Sequence, residues 1–321
     1  MKIARWTGLQ GPGEGFIVND QVVPFPAGLD VSDALDLGLA ATHELFDQVK
    51  DSAGISISDV TLHKPLKPSS IRDFVTFEEH VEGVSGAVNG KNEVVEQWYE
   101  APTFYFTNPH TVYASEETIP IPQTSRLDFE LELAAVIGGV KNSNGENLSP
   151  DEAQHHIFGY MIMNDWSARD LQSREMKVSL GPCKGKDFGI TLGPWIVTAD
   201  EFMPWIDPDG FLAIQAKAYV NEELIGQDLV SNMGWTFPEL VSYASRNSIV
   251  LPGDVLGSGT VGNGGCLGEL WGRGKDLPPL KTGDHVRLVI EGVGEIINTV
   301  GEQVIAPDVP RARHRSRARQ R

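Results

Sequence analysis

The sequence contains few cysteines and no long apolar segment. Its two cysteines, Cys183 and Cys266, lie far apart and in no spacing typical of a metal site, which favours free thiols in a reducing compartment. No apolar run approaches the ~20 residues that cross a bilayer, and residues 1–6 lack the pattern of a signal peptide. We therefore predict a cytoplasmic protein with no membrane partner.

Basic residues are also scarce, and most of the chain is acidic. The 26 lysines and arginines face 44 aspartates and glutamates, which gives a formal net charge of −18. Six arginines fall within residues 311–321, so residues 1–310 carry 20 basic and 44 acidic side chains, a balance of −24. An acidic protein of this kind repels nucleic acid and anionic membranes, and neither is predicted as a partner. Residues 307–321 are predicted to form a disordered, arginine-rich tail.

Glycine and proline, by contrast, are frequent. The 34 glycines, 20 prolines and 40% hydrophobic residues suit a loop-rich protein of the α+β class that is mainly β. Residues 1–65 are predicted to form a small N-terminal α/β module, with a hairpin turn at residues 19–21 and a helix over residues 35–49. A segment rich in proline, lysine and serine at residues 64–70 separates this module from a larger domain, residues 66–306. We interpret the module as a support or a dimer contact.

An acidic segment, residues 128–136, carries the first chemical signal. If it is a strand, Asp128, Glu130 and Glu132 share one face and apolar side chains share the other. Like charges at this spacing repel, and burial strengthens the repulsion, which a divalent cation would relieve. The alternative is an edge strand with a solvated acidic face, the more common arrangement for such a strand in isolation. These residues alone leave both interpretations open.

A further carboxylate follows a predicted buried strand. Residues 157–163 form a continuous apolar run typical of such a strand, and Asp165 comes just after it. If the chain then becomes helical, Asp165, Arg169 and Gln172 lie on one side of the helix. Asp165 is then either a metal ligand or catalytic acid, or only a helix N-cap. A glycine-rich turn that contains Lys186 lacks the pattern of a phosphate-binding loop.

Residues 71–81 are predicted to form a short helix. Asp73 and His80 are seven residues apart, which corresponds to two helical turns, so such a helix would place them on one face. A single histidine on a short helix is usually a surface or core residue, and the spacing alone assigns it no chemistry. The following segment, residues 83–92, is rich in glycine and is predicted to move as a lid.

Four motifs occur together and in order along the chain: DFELEL at residues 128–133, NDWSARDLQ at 164–172, LGPCKGKDFG at 180–189 and GDVLGSGT at 253–260. Their combination resembles the fumarylacetoacetate hydrolase family over about residues 66–305. The resemblance implies a mixed β-sandwich roll with a small N-terminal domain, and a homodimer.

The resemblance also implies roles for individual residues. Asp73, Glu130, Glu132 and Asp165 are expected to bind Mg²⁺, with Mn²⁺ or Ca²⁺ as alternatives, whereas Asp128 is not among the implied ligands. The other implied roles are those of His80 as catalytic base, Glu269 as the residue that orients it, Lys186 as a catalytic cation, and Arg169, Gln172, Thr260 and Tyr105 as substrate contacts.

The sequence departs from the family pattern at several positions. Val75 and Met176 stand where fumarylacetoacetases carry tyrosines that contact the substrate. Ile190 or Thr191 replaces part of a second cation site. These departures argue against fumarylacetoacetate itself as the substrate and leave the metal chemistry intact.

The predicted function is that of a metal-dependent hydrolase, which cleaves a C–C bond in a small 1,3-dicarbonyl or acylpyruvate-type substrate. Two substrate oxygens would chelate the cation, which would stabilise the enolate formed on cleavage. His80, held by Glu269, would remove a proton from water, while Lys186 and Arg169 would offset developing negative charge. One alternative is a 2-oxo acid decarboxylase, hydratase or isomerase that uses the same metal–enolate site. Another is a binding protein in which the carboxylates hold a structural cation.

Overall fold

The computed structural model describes residues 1–26, 28–89 and 93–313, and two mixed β-sheets form its framework. The strands are β1 (Lys2–Gly8), β2 (Gly11–Val18), β3 (Gln21–Pro24), β4 (Ile55–Ser56), β5 (Thr61–Leu62), β6 (Ile71–Phe74), β7 (Phe104–Thr107), β8 (Val112–Tyr113), β9 (Thr118–Pro122), β10 (Leu127–Asp128), β11 (Leu131–Ile137), β12 (Ile157–Asp165), β13 (Ser167–Ala168), β14 (Ile190–Thr198), β15 (Gln215–Val220), β16 (Glu223–Leu229), β17 (Val255–Gly257), β18 (His285–Ile290) and β19 (Gly294–Val304). The α-helices are α1 (Val31–Leu37), α2 (Leu39–Val49), α3 (Glu78–Asn89), α4 (Glu96–Glu100), α5 (Pro150–Ala153), α6 (Arg169–Met176), α7 (Phe237–Ser245) and α8 (Leu267–Gly272).

The larger sheet has twelve strands. Ten of them follow the order β4-β3-β2-β1-β14-β12-β11-β17-β6-β7, while β5 pairs with β1 and β8 pairs with β14. The second sheet has the order β16-β15-β18-β19-β9, and β10 and β13 form a separate two-stranded ribbon. Parallel pairs, such as β17 with β6 and β19 with β9, occur among antiparallel ones. The prediction of an α+β protein that is mainly β, with mixed sheets, is confirmed.

The main hydrophobic core lies between the two sheets. Leu133 of β11 and Ile162 of β12 belong to the same buried cluster as Leu288 of β18 and Ile296 of β19. Alternate residues of β11, such as Ala134, belong instead to a second cluster on the opposite face of the larger sheet. Because side chains alternate along a strand, both faces of β11 are covered. The acidic segment is therefore not an edge strand with a solvated face.

The N-terminal residues extend the larger sheet. Asn19 and Asp20 have positive φ values of 48° and 59° and form the predicted hairpin turn between β2 and β3. Strand β1 pairs antiparallel with β14, with Lys2 opposite Val197. Helix α1 contributes Leu35 to the second cluster, which covers the face of the larger sheet away from the main core. The division of the chain at residues 65 and 66 stays a prediction.

The predicted helix over residues 71–81 is wrong. Residues 71–74 form β6, which pairs with β17 on one side and β7 on the other, and helix α3 begins only at Glu78. Pairing on both sides satisfies the backbone hydrogen bonds of β6, and the burial of all four residues favours the strand. Asp73 and His80 therefore lie on different elements.

The segment after Asp165 also differs from the expectation. Asp165 is the last residue of β12, and helix α6 begins at Arg169 with Ala168 as its N-cap. The N-cap interpretation of Asp165 is therefore wrong, as is its placement on one helix with Arg169 and Gln172.

The predicted lid and tail fall partly outside the described residues. Residues 83–89 continue helix α3, and residues 90–92 are outside the description. Residues 305–313 have no regular secondary structure and are exposed, and residues 314–321 are not described. Within the described residues, every helix is too short or too polar to cross a membrane.

Candidate active site

Neighbouring strands of the larger sheet bring the predicted metal ligands to one place. Asp73 lies on β6, Glu132 on β11 and Asp165 at the end of β12, and these strands follow the order β12-β11-β17-β6. Glu130 directly precedes β11, and its carbonyl accepts a hydrogen bond from the backbone N–H of Asp165 at 3.2 Å. The four residues come from three distant parts of the sequence, so sheet pairing creates their proximity.

Gly257 of β17 provides the space in which two of these carboxylates meet. A Cβ atom at this position would lie 2.7 Å from Glu132 Oε2, 2.8 Å from Asp73 Oδ1 and 2.2 Å from Met163 Cε. Carboxylates from the flanking strands β11 and β6 therefore approach each other over a strand that has no side chain there. The sequence shows Gly257 within one of the four motifs, but it does not show that this glycine makes room for two carboxylates.

The four carboxylates form a compact, buried cluster. Asp73, Glu130, Glu132 and Asp165 each offer one oxygen, and these oxygens lie within 4.8 Å of one another. Each residue is at most 4% exposed. Asp73 Oδ1 and Asp165 Oδ1 are buried and have no hydrogen-bond partner among the described residues. An all-oxygen donor set with open acceptors fits a hard divalent cation such as Mg²⁺, Mn²⁺ or Ca²⁺.

Burial and mutual repulsion disfavour the charged forms of three of these carboxylates. Burial raises the pKa of Asp73 well above its usual value, and the nearby Asp165 adds to the effect. Burial raises the pKa of Glu132 in the same way, with a further contribution from Asp73. The pKa of Asp165 is raised mainly by burial. These three groups would gain from the positive charge of a bound cation.

Lys186 and Arg169 place positive charge beside the cluster. Lys186 Nζ donates to Asp165 Oδ2 at 2.7 Å and also contacts Glu130 Oε2. Arg169 Nη2 donates to Glu130 Oε1 at 2.8 Å, and its Nε donates to Asp128 Oδ2 at 2.8 Å. Burial opposes the charge on Glu130, but Lys186 and Arg169 outweigh burial and hold its pKa below the usual range.

Asp128 lies beside the cluster and connects Arg169 to helix α8. Its two oxygens accept hydrogen bonds from the backbone N–H groups of Leu267 and Gly268, each at 2.8 Å, at the start of helix α8. Asp128 also accepts from Arg169, so it links the arginine to that helix. The sequence did not predict this contact, because the two segments are far apart in the chain.

His80 is buried next to the carboxylate cluster. It lies in the first turns of α3, with Nε2 at 3.8 Å from Glu130 Oε1 and Nδ1 at 3.6 Å from Cys266 Sγ. Burial lowers the pKa of His80 to about 4, against the opposing effect of Glu130. The ring is therefore neutral at neutral pH, which is the state that a general base requires.

Glu269 lies on helix α8, which packs against the helix that carries His80, but its side chain has other partners. Its Oε2 accepts from the backbone N–H of Gly264 at 3.4 Å, and its Oε1 lies 3.1 Å from Arg273 Nη2. Burial raises the pKa of Glu269 to about 7. Among the described residues, the hydrogen-bond partner of His80 Nδ1 is Cys266 and not Glu269. The orienting role of Glu269 stays a prediction, and Cys266 is a neighbour that the sequence did not reveal.

The predicted substrate contacts surround the cluster. The Tyr105 hydroxyl on β7 donates to Asp165 Oδ2, and Gln172 Oε1 accepts from Arg169 Nη1 at 3.1 Å. Thr260 is buried in the loop after β17, between Gly259, whose N–H donates to Glu132 Oε2, and Val261, whose N–H donates to the carbonyl of Leu131. The structure thus brings these positions around the four carboxylates.

The residues that depart from the family pattern lie in different environments. Thr191 Oγ1 accepts a hydrogen bond from Trp166 Nε1 at 3.0 Å, so its hydroxyl is already engaged in the core. Ile190 is fully buried on β14. Met176, at the end of α6, is 47% exposed. Neither it nor Val75 offers the hydroxyl that a tyrosine would supply.

A large cavity lies elsewhere on the molecule. It has a volume of about 880 Å³, and its wall includes Tyr160, Phe202 and Phe237. None of the eleven predicted site residues lines it. The chemistry of the carboxylate cluster is therefore separate from this cavity.

Comparison with known proteins identifies relatives among curated sequences. The chain is 30% identical to human fumarylacetoacetase over 294 residues, which cover 78% of this chain and 70% of that protein. It is 31% identical to fumarylacetoacetase of Arabidopsis thaliana over 266 residues, or 69% of this chain and 63% of the relative. The corresponding values for the Oryza sativa protein are 28%, 298 residues, 79% and 68%. These matches therefore leave about a third of each relative uncovered.

Solved structures share the fold. Maleylpyruvate hydrolase from Sphingobium sp. SYK-6, solved with a manganese(II) ion and pyruvate, has a TM-score of 0.68 and 20% sequence identity, over 95% of this chain and 100% of that one. The 5-carboxymethyl-2-hydroxymuconate delta-isomerase from Mycobacterium smegmatis has a TM-score of 0.67 and 22% identity, over 94% and 100% of the chains.

A family model also matches the chain. The model described as the C-terminal region of fumarylacetoacetate (FAA) hydrolase matches residues 69–301. This range contains all eleven predicted site residues. It also covers most of the chain, and the chain therefore belongs to the fumarylacetoacetate hydrolase family.

Proposed function

We propose that the protein is a divalent-metal-dependent hydrolase, which cleaves a C–C bond in a 1,3-dicarbonyl or acylpyruvate-type substrate. The observation that carries the proposal is the pair formed by the carboxylate cluster and the buried His80, whose Nε2 lies 3.8 Å from Glu130 Oε1. The names of the relatives support a hydrolase, and the manganese and pyruvate in one structural neighbour support the metal and the substrate class.

Asp73, Glu130, Glu132 and Asp165 would hold the cation, which we expect to be Mg²⁺, with Mn²⁺ or Ca²⁺ as alternatives. When bound, the cation would supply Lewis acidity towards a substrate carbonyl oxygen. The buried, unpartnered oxygens of Asp73 and Asp165 support this assignment.

His80 would act as the general base. Its neutral ring accepts a proton from water, and the water oxygen forms a bond to the acyl carbon of the substrate. The C–C bond then breaks, and its electron pair stays on the carbon of the 2-oxo acid fragment. That carbon takes up the proton from His80, which restores the neutral ring. The products are a carboxylic acid and a 2-oxo acid.

The cations and the polar groups around the cluster would bind the substrate. Lys186 and Arg169 would offset negative charge that develops during cleavage. Gln172, Thr260 and Tyr105 would position the substrate. Tyr105 contacts Asp165 and the N–H of Gly259, next to Thr260, contacts Glu132, whereas Gln172 contacts Arg169. Glu269 would support His80 from helix α8.

Replacement of His80 by alanine tests this proposal. General-base catalysis typically contributes ~10²–10⁴-fold, so the expected loss of turnover on acylpyruvates with Mg²⁺ or Mn²⁺ has that size, with metal affinity unchanged. His43→Ala, at a partly exposed histidine of α2, serves as the matched control. Near-normal turnover by His80→Ala would remove His80 from the mechanism.

The second candidate is a 2-oxo acid decarboxylase, hydratase or isomerase that uses the same metal site. Isomerases among the structural neighbours favour this alternative. Turnover in ¹⁸O-labelled water separates the two, because hydrolysis places one labelled oxygen in a newly formed carboxylate. Products without a new, labelled carboxylate would support the second candidate.

Several properties of the whole protein belong to the same proposal. We propose that the protein acts in the cytoplasm on a small molecule, as a homodimer, with residues 66–306 as its catalytic domain. The arginine-rich tail, residues 307–321, is given no function.

A further inference from the structure

Cys266 begins helix α8 and is completely buried. It is the N-cap residue of this helix, and its Sγ accepts a hydrogen bond from the backbone N–H of Glu269 at 3.3 Å. N-cap positions favour serine, threonine, aspartate and asparagine, whose oxygens accept such bonds more strongly than sulfur does. The thiol is thus a weak helix cap. It makes a second contact, with a residue outside helix α8.

That other contact joins helix α8 to the candidate catalytic histidine. Cys266 Sγ lies 3.6 Å from His80 Nδ1, a hydrogen-bond distance for sulfur. On the other edge of the ring, Nε2 faces Glu130 Oε1 at 3.8 Å. The imidazole therefore lies between the thiol and the carboxylate cluster.

The two helices that carry these residues are in close contact. Gly83 of α3 packs against Glu269 of α8, and a Cβ atom at position 83 would lie 2.4 Å from Glu269 Cγ. The start of α8 is held in turn by Asp128, which accepts from its first N–H groups. A fixed helix start gives the thiol a fixed position relative to His80.

We propose that Cys266 is the positioning residue of His80: its thiol engages Nδ1 and keeps Nε2 directed at the carboxylate cluster. A histidine with a partner on one ring nitrogen has a defined orientation for the other, which is how outer partners set the reactive nitrogen in metal and catalytic sites. Without that partner a buried Nδ1 would be left unsatisfied. The inference rests on the proposed role of His80 as base.

The contacts of Glu269 agree with this assignment. Its Oε2 accepts from the N–H of Gly264, and its Oε1, which makes no hydrogen bond among the described residues, lies 3.1 Å from Arg273 Nη2. Its backbone N–H donates to Cys266 Sγ. Burial raises the pKa of the Cys266 thiol well above its usual value, so the sulfur stays neutral. For Nε2 to act as the base, the neutral ring must carry its proton on Nδ1, and this N–H then donates to Cys266 Sγ. Glu269 then acts on His80 through the helix start and the thiol.

Kinetics of Cys266 variants of the metal-loaded protein test the proposal. We expect Cys266→Ala to lower kcat by roughly 10- to 100-fold, the usual effect of removing such an outer partner, with KM and metal affinity within about twofold of the native values. Cys266→Ser retains a hydroxyl at this position and is expected to recover most of kcat. Cys183→Ala, which removes the exposed cysteine, is the matched control.

A spectroscopic measurement keeps the test independent of turnover and of folding defects. In protein labelled with ¹⁵N-histidine, the ring resonances of His80 are identified by their loss in His80→Ala. They should shift in Cys266→Val, which fills the space of the thiol without a polar atom, and return towards native values in Cys266→Ser.

The outcomes separate this inference from the proposed function. Full turnover by His80→Ala would reject the proposed function. Loss of turnover by His80→Ala together with native kcat in Cys266→Ala would reject the positioning role alone. A loss in Cys266→Ala that serine does not recover would also reject it, because packing and not the polar contact would then be responsible.

Discussion

Asp73 and Asp165 each keep one buried carboxylate oxygen without a hydrogen-bond partner among the described residues. A buried acceptor without a partner costs free energy, and such oxygens are unusual outside functional sites. Lys186 neutralises only part of the charge, since it contacts Glu130 and Asp165 but makes no recorded hydrogen bond to Asp73. We therefore expect substitution of either aspartate to weaken metal binding clearly.

Asp165→Asn is predicted to weaken binding of Mg²⁺ and Mn²⁺ by roughly 100-fold. The amide keeps the shape of the carboxyl group but removes its charge, and loss of a buried charge contact costs about 3 kcal/mol or more, with 1.4 kcal/mol for each factor of ten. Isothermal titration calorimetry measures the affinity. Asp151→Asn, an exposed aspartate of α5, serves as the control. Equal affinities for both variants and the native protein would exclude Asp165 as a ligand.

Glu269 is predicted to make the stability of the protein depend on pH. Burial raises its pKa from 4.5 to about 7 in the folded state. Between these values the folded protein binds more protons than the unfolded chain, so the contribution of Glu269 to stability falls as the pH rises. Glutamine does not ionise, and Glu269→Gln therefore lacks this fall.

Thermal denaturation of the native protein and Glu269→Gln at about pH 5 and about pH 7.5 provides the measurement. The difference in Tm should change in favour of the variant at the higher pH. Glu223→Gln, at an exposed glutamate of β16, should show no such change. A difference that is the same at both pH values would contradict the raised pKa.

At the scale of elements, the position of β17 between β11 and β6 organises the site. Its residue Gly257 leaves room for the oxygens of Glu132 and Asp73, which lie 2.7 and 2.8 Å from the place of a Cβ atom. The strand itself is short and fully buried, and its register with both neighbours is fixed by backbone pairing. The spacing of these two carboxylates therefore depends on one missing side chain.

Gly257→Ala is predicted to weaken metal binding and to destabilise the fold by about 1–3 kcal/mol, the usual cost of overpacking. The new methyl group would displace Glu132, Asp73 or Met163 Cε. Calorimetric titration with Mn²⁺ and denaturant unfolding measure the two effects. Leu256→Met, which conserves side-chain volume at the preceding residue, should leave metal affinity unchanged. Native affinity in Gly257→Ala would show that the carboxylates adjust freely.

The incorrect prediction of a helix over residues 71–81 is also explained by contacts between elements. Ile71 and Phe74 flank polar residues at a spacing compatible with a helix, and the sequence contains no local signal for the two partner strands. Strand β6 forms because β17 and β7 lie on either side of it. Helix α7 (Phe237–Ser245), by contrast, follows a periodicity of apolar residues that is local to its own segment.

At the scale of the whole molecule, the carboxylate cluster couples metal binding to stability. A ligand that binds only the folded state stabilises it by about 2.7 kcal/mol at 100 times its Kd. Protein treated with a chelator should therefore melt a few degrees lower than protein with excess Mg²⁺. Differential scanning calorimetry measures this shift, with NaCl at equal ionic strength as the control.

The same experiment addresses the role of the cation. Protein that stays folded without metal, loses turnover and regains it with Mg²⁺ would support a catalytic cation. Loss of the fold without metal would instead support a structural cation. No shift in Tm, with turnover unaffected by the chelator, would contradict a metal site.

The sequence by itself determined the chemistry that the protein brings to its site. Composition, the alternation in residues 128–136 and the apolar run before Asp165 predicted a mainly β protein, and the resemblance carried by the four motifs implied that the carboxylates bind one cation. The strand signals are local, because strand periodicity and turn composition are set by neighbouring residues. They did not decide whether the acidic face was solvated.

Only the tertiary structure decided which side chains meet. Pairing among β12, β11, β17 and β6 brought Asp73, Glu132 and Asp165 together, and the start of α8 brought Cys266 to His80. Such contacts join residues far apart in the chain, and they form because burial of both sheet faces fixes the register of the strands. No periodicity within a single segment contains that information.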